Sequence, residues 1–380
     1  MSVNKSIQLG LCCMNTELRN LKPPIYASRS ITQKKVLELG QEEGIKIIKE
    51  RAYQNILDVI KLMEWNEENG IKVFRLSSEI LPHKSNNKVD DYDYNFILDK
   101  LKEIGRLSKK YHQRLTFHPG QFNIIGAKNE KIFQATIREL SYHADLFDLM
   151  ELDQNSVMVI HGGGLYGNKK ETMDRWCDNF NRLPDKIKKR LVIENCERMY
   201  NVEDCLEISR RINIPVVFDT HHHECYKKLH PDINLKPVEE YIPLILETWN
   251  RRNIKPKFHV SEQGSGRVGH HSDYVETIPE YLLSIPQKYG VDIDIMIEAK
   301  MKEQAIFKLY QKYPFLNCKI VNHLPKGNIK IFDDKIVIIK KKKKKEKNDK
   351  NKINKNISEI DKLKDMFKNI HKIKICDCCK

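Results

Sequence analysis

The chain has 380 residues, 31% of them charged and 40% hydrophobic, with a formal net charge of +15. That length suits one large domain with an appendage, and the absence of any apolar run near the roughly 20 residues of a bilayer span argues against a helical membrane protein. The positive charge suggests an acidic partner such as nucleic acid, but residues 340–380 carry +10 of it, so the remaining chain is only weakly basic.

The predicted elements alternate. IQLGLCC (7–13) reads as a strand, followed by a helical stretch over 34–69. IKVFRLS (71–77) precedes a helix near 93–112, LTFH (115–118) one near 130–150, and VMVIH (157–161) one near 171–181. LVIE (191–194) precedes a helix near 203–212, VVFD (216–219) one near 237–252, KFHVS (257–261) one near 274–288, and DIMIE (294–298) one near 302–313. Short apolar runs bounded by turn signals read as buried parallel strands. Eight such strand–helix pairs predict an α/β fold, a (β/α)8 TIM barrel over residues 1–313. No GxGxxG opens the first helix, so a dinucleotide-binding sheet is not expected. Residues 314–339 read as a short β-rich extension packed on the barrel. Residues 340–380 read as a Lys-rich, largely disordered tail with a short amphipathic stretch at 357–375 and a Cys-rich end. That end, Cys376-Asp377-Cys378-Cys379, does not match a standard zinc spacing.

The ten cysteines show no even framework, and Cys177, Cys196 and Cys205 fall within or beside predicted elements. Reduced thiols in a soluble intracellular protein are therefore expected. No signal peptide is visible, and Lys340–Lys345 is compatible with a nuclear address as well as with a solvated charge block, leaving nucleus and cytoplasm open.

Six of the predicted strands end in ligand-type residues: His118, His161, Glu194, Asp219, His259 and Glu298. Catalytic residues of a barrel come from the C-terminal strand ends and the loops after them, so these side chains should converge. His118 is followed by a Pro-Gly turn, and His161 by three glycines that suit an anion approaching the backbone. A Glu at a strand end is seldom buried unless paired or coordinated, and one carboxylate can bridge two cations. After Asp219 come Thr220 and three histidines, 221–223, of which spacing alone does not say which points inward. Lys257, His259 and Ser261 share one face at period two, and His270 and His271 follow in the next loop. So many imidazoles and carboxylates exceed the needs of one catalytic metal, and two or three divalent cations are expected. With no Cys among the donors, hard or borderline ions fit, manganese first and zinc or magnesium as alternatives. Multinuclear sites with mixed oxygen and nitrogen ligands favour phosphoryl-transfer chemistry by metal-activated water.

The motifs LGLCCMN (9–15), FRLSSEILP (74–82), HPGQF (118–122), VIHGGG (159–164), VIEN (192–195), VFDTHHH (217–223), KFHVSEQ (257–263), HSDY (271–274) and MIEAKMKE (296–303) resemble those of the UV-damage endonuclease family, metal-dependent barrel nucleases akin to endonuclease IV. The resemblance spans roughly residues 7–310. It implies metal ligands at His118, His161, Glu194, Asp219, His222, His259, His271 and Glu298, with Glu194 bridging two cations. His271 is preferred to His270 by the His-x-Asp-Tyr pattern. Glu194, Lys257 and His259 are the implied catalytic residues; a carboxylated Lys257 could act as an oxygen ligand, whereas an ammonium could not. Asn15, Gln121 and Phe122 are the implied DNA and lesion contacts, the last two as a wedge filling a gap in the duplex. The sequence departs from the family at Leu11, where an aromatic is common, and at Asn86, where a His is common; His83 lies three residues earlier.

The function the resemblance implies is a monomeric DNA-repair hydrolase that incises damaged double-stranded DNA immediately 5′ to UV photoproducts, with abasic sites as a further substrate, leaving a 3′-hydroxyl. The alternatives are a metal-dependent barrel sugar isomerase and a non-catalytic nucleic-acid-binding barrel.

Overall fold

The structure is a computed structural model describing residues 6–317 and 319, together with the strands Asn328–Phe332 and Lys335–Ile339. Eight parallel strands, β1 (Ile7–Cys12), β2 (Val73–Arg75), β3 (Arg114–Thr116), β4 (Met158–His161), β5 (Leu191–Glu194), β6 (Val216–Asp219), β7 (Lys257–Val260) and β8 (Ile293–Ile297), follow the order β3-β2-β1-β8-β7-β6-β5-β4. The ends of that order meet at Phe117, which bridges Met158; Phe117 N donates to Val157 O and Val159 N donates to Phe117 O, each at 3.0 Å. The sheet thereby closes into the predicted (β/α)8 barrel, with helices outside it.

Side-chain alternation divides the barrel into two apolar layers. Leu9, Leu11 and Phe74 join the large core between strands and helices. Cys12, Val73 and Met296 form a separate small cluster. A Cβ on Gly10 would lie 2.8 Å from Met296 Cε and 3.1 Å from Val73 Cβ, so glycine is what lets the Met side chain pack there. Toward the N-terminal ends of the strands, Asp294 accepts a hydrogen bond from Arg114 Nη1 at 2.8 Å and pairs with Lys255. Burial alone would raise the Asp294 carboxyl, but Lys255 and Arg114 hold it below the usual range. The opposite ends of the strands carry the ligand-type residues.

Helix boundaries differ from the expected ones where local chemistry intervenes. The stretch expected as one helix over 34–69 breaks at Gly40 (φ 83°) into Gln33–Leu39 and Gln41–Glu68. The helix expected near 274–288 is reduced to Glu280–Leu283 and Ile285–Tyr289, since Pro279 and Pro286 limit how far each turn extends. A helix not anticipated from sequence, Thr220–Leu229, starts directly after β6. Among the described residues no helix is long and apolar enough to cross a membrane, and Cys12, Cys13, Cys177, Cys196, Cys205 and Cys225 are free thiols.

The chain divides into two units, 1–324 and 325–380. The barrel unit runs past residue 313, and Leu316, 3% exposed, belongs to its core. In the second unit, Asn328–Phe332 and Lys335–Ile339 pair as an antiparallel hairpin. The expectations for 340–380 fall outside the described residues.

Candidate metal centre

Strand register sets the site. His161 on β4 pairs with Glu194 on β5, and Asp219 on β6 pairs with His259 on β7. Glu298 follows β8 directly, its N–H donating to Val260 O at 2.9 Å, and His118 comes one residue after the closing bridge at Phe117. The residues therefore ring one end of the barrel.

Glu194, fully buried, is the hub. Its Oε2 lies 2.8 Å from His118 Nε2 and 3.0 Å from His161 Nε2, and its Oε1 lies 2.6 Å from His259 Nδ1. Burial favours the protonated acid, yet His259 and the hydrogen bonds from the imidazoles keep Glu194 ionised, well below the usual carboxylate range. Burial is the first cause pushing His259 down, to about 4, so its ring is neutral and suited to act as a donor ligand. The donor atoms form three overlapping sets, His118–His259–Glu298, His118–His161–Glu194 and Glu194–Asp219–His222, each within 4.8 Å.

The three consecutive histidines are sorted by the unanticipated helix. Asp219 is its N-cap, Oδ1 accepting from His222 N at 2.7 Å. Successive helical residues rotate by about 100°, so the rings diverge. His222 Nδ1 faces the site, 3.8 Å from Glu194 Oε1 and 3.9 Å from Asp219 Oδ1. His221 turns to Cys225, Nε2 to Sγ 3.5 Å, and His223 packs between Phe218 and Tyr241. Burial, then Glu194 and Glu298, push the Asp219 carboxyl up to about 7, with His222 opposing. Burial disfavours the charged His222, but Asp219 and Glu194 outweigh it and raise the imidazole to about 9. Three carboxylates in one buried volume are an electrostatic load that a cation relieves.

The residues present fit divalent cations on a further count. Asp219 Oδ2 and His259 Nε2 are buried without a hydrogen-bond partner, a costly state for polar atoms inside a protein. The donors are oxygen and imidazole nitrogen, the set that suits manganese, zinc or magnesium.

Seven of the eight residues expected as ligands thus come together. His271 stands apart from the three sets, its Nδ1 3.9 Å from Glu298 Oε2, although it faces the site. His270 is exposed and directed to Ser265 O. Lys257 is fully buried, and Nζ donates to Thr116 Oγ1 at 3.2 Å. Burial, then Arg75 and Arg114, push its amine down to about 7.

Arg75 was not anticipated as part of the site. At the end of β2 its Nη1 donates to Glu298 Oε1, and its Nε lies 3.3 Å from Cys13 Sγ. Burial would raise the Glu298 carboxyl, but Arg75 foremost and then His259 hold it far below the usual range. A lone Arg in the predicted strand IKVFRLS was the available signal. Asn195, also unassigned, ties β5 to β6: Oδ1 accepts from Asp219 N at 2.8 Å, and Nδ2 donates to Asp219 O at 3.0 Å.

The rim residues diverge in placement. Phe122 is 81% exposed, and Gln121 is exposed beside it. Asn15 is fully buried, where its Oδ1 caps the helix Thr16–Arg19 by accepting from Leu18 N at 2.8 Å. A surface contact from its side chain is therefore replaced by a role in shaping the loop after β1. Leu11 is buried in the core. Asn86 Nδ2 donates to Gln33 Oε1 at 3.1 Å, and His83 Nε2 lies 2.6 Å from Ile31 O, so both are engaged at the start of the helix Gln33–Leu39. Of the glycines after His161, Gly162 meets the Tyr200 ring, which a Cβ would approach to 2.4 Å. Its need is packing rather than anion approach.

Fold and site define the class: a (β/α)8 barrel whose C-terminal mouth holds a buried, multi-ligand carboxylate–imidazole centre. The model of the family described as UV-endonuclease UvdE matches residues 7–333, and the chain belongs to that family. A UV-damage endonuclease of Schizosaccharomyces pombe is 38% identical over 322 residues, 82% of this chain and 51% of the relative, so the chain spans about half that relative's length. A UV DNA damage endonuclease of Bacillus cereus is 35% identical over 261 residues, 67% of this chain and 80% of the relative. The crystal structure of SacUVDE superposes with a TM-score of 0.68 at 30% identity, covering 82% of this chain and all of that one.

Proposed function

We propose that this chain is a DNA-repair endonuclease that cuts UV-damaged duplex DNA on the 5′ side of the lesion, leaving a 3′-hydroxyl, with two or three divalent cations at the barrel mouth. The observation that carries this reading is the trio of overlapping donor sets sharing Glu194 and His118, in a chain of the UvdE family whose relatives bear the name UV-damage endonuclease. Glu194, His118, His161, Asp219, His222, His259 and Glu298 would hold the cations, with His271 closing the outer side. Bound there, divalent cations supply Lewis-acid activation of water and neutralise phosphate charge; manganese is the ion we propose.

The chain's own residues prepare this chemistry. Glu194 offers both oxygens to neighbouring sets, the arrangement of a bridging carboxylate. Arg75 keeps Glu298 ionised and fixed in direction. Lys257, its amine lowered toward neutrality, lies buried beside Thr116 and touches no solvent, so its part is to set charge beneath the ligands, or to serve as an oxygen ligand if carboxylated. At the rim, Phe122 and Gln121 are free to enter a distorted duplex, where an apolar side chain fills the gap left by displaced bases. Displacement costs least at a lesion that already weakens stacking, which is one source of selectivity. Asn15 contributes through the loop it caps.

The test is incision of a synthetic duplex bearing one cyclobutane dimer, labelled at either end, in manganese. A single cut immediately 5′ to the dimer, with ends that a polymerase extends, is the expected result. Cuts scattered along both strands, or ends that cannot be extended, would sink the assignment. Glu194→Gln should lose incision while retaining most DNA binding.

A further inference from the structure

Among the described residues only three Phe, Tyr or Trp side chains are exposed: Tyr53, Phe122 and Tyr166. Tyr53 lies in the outer helix Gln41–Glu68. The other two lie on neighbouring loops of the mouth, Phe122 after β3 and Tyr166 after β4, the latter five residues beyond His161. The two loops touch: a Cβ on Gly163 would lie 2.9 Å from Ile124 Cγ2.

Tyr166 is held outward at a cost. Its φ is +49°, a left-handed conformation that a bulky L-residue seldom adopts, and it is 42% exposed. Strain of this kind persists where the surroundings enforce it, and it clusters at ligand-contacting positions. The conformation belongs to a turn that continues into Gly167, whose φ is +92°, and the residue that backs the ring is Arg175. Its Nε donates to Gly126 O at 2.9 Å, in the loop after β3, and its Nη2 donates to Thr172 Oγ1 at 3.1 Å. Its guanidinium carbon lies 5.5 Å from the centroid of the Tyr166 ring. One arginine thus anchors to the Phe122 loop while backing the Tyr166 ring, a cation–π contact that leaves the ring's remaining surface available.

We propose that Tyr166, backed by Arg175, is a base-stacking site for a nucleotide of the damaged duplex, separate from the Gln121–Phe122 wedge. Every base has a π-face, so an exposed aromatic accepts any base that has left the stack. The site rests on the endonuclease reading above and deepens it.

The test is equilibrium binding of full-length protein, loaded with calcium in place of manganese, to a duplex with one cyclobutane dimer and to its undamaged counterpart. Tyr166→Ala should weaken binding to the damaged duplex about 5- to 150-fold, the loss of one stacked base. Tyr166→Phe, which keeps the ring, should stay within about twofold. The slope of log Kd against log salt should stay unchanged in both, since no phosphate contact is removed. Wild-type affinity in Tyr166→Ala, with melting temperature unchanged, would overturn the stacking site while leaving the endonuclease reading intact. Wild-type protein that binds and cuts damaged and undamaged DNA alike would overturn both.

Discussion

Arg75 and Glu298 provide the sharpest test of how the centre is held together. Arg75 Nη1 donates to Glu298 Oε1, and the side chains are only 17% and 9% exposed. Arg75→Met keeps length and deletes the guanidinium, so the carboxylate loses its strongest partner while remaining buried. Breaking one side of a buried pair costs about 3–5 kcal/mol. The imidazoles of His259 at 3.3 Å and His271 at 3.9 Å remain as polar neighbours of the carboxylate, which favours the lower end, about 3 kcal/mol. Unfolding entropy for a barrel of roughly 300 residues is about 0.6 kcal/mol per kelvin, so the midpoint should fall by ~5 °C. Glu298→Gln strands the guanidinium instead and should also destabilise. The double variant carries neither charge, so its loss should fall short of the sum by about 1–3 kcal/mol. The assay is a double-mutant cycle by urea and thermal unfolding of the full-length protein in chelator, so that no cation substitutes for Arg75. Strictly additive losses would refute the pairing as a unit.

Asp294→Asn should destabilise by about 3 kcal/mol, since it strands Arg114 and Lys255 at the N-terminal end of the barrel; cation affinity measured by titration calorimetry should stay within about twofold, because the ligands lie at the other end. His143 is fully buried against Phe117 and Tyr142, and burial foremost pushes its imidazole down to about 4. Its unfolded value is about 6.5, so the folded state resists protonation: its stabilising contribution is whole above pH 6.5 and declines as pH falls toward 4. From pH 7 to pH 5 this one group should remove about 2 kcal/mol, and His143→Gln should flatten that part of the urea-unfolding profile; an unchanged profile would contradict it. Phe122→Ala should leave the melting temperature within about 1 °C, since the ring is 81% exposed. It should nonetheless reduce the preference for damaged over intact duplex by about tenfold in competition binding.

Much of the fold was legible because each strand is a short apolar run ending in a polar residue, and the C-terminal placement rule of the barrel converts that pattern into convergence. Six of the seven expected ligands that meet do so for this reason, while His222 is brought in by the helix after β6. What sequence could not resolve was rotation. The three histidines after Thr220 are separable only once a helix starts at that point, because an Asp219 cap and a 100° step send the rings in three directions. Arg75 escaped notice because a single Arg at a strand end has no metal-ligand character, and its partner lies 223 residues away. Asn15 reads as a polar loop residue, and only the backbone reveals a cap. The proline-interrupted segment before β8 carried its own warning in Pro279 and Pro286.

Whether the barrel mouth is a cation-dependent, damage-selective nuclease site is decided by nicking of supercoiled plasmid, UV-irradiated or untreated, by the full-length protein with manganese and after chelation. Irradiated plasmid should be nicked rapidly in manganese and untreated plasmid little, and activity should be lost on chelation and return when manganese is restored. Equal nicking of both plasmids, or activity that survives complete removal of divalent cations, would contradict it.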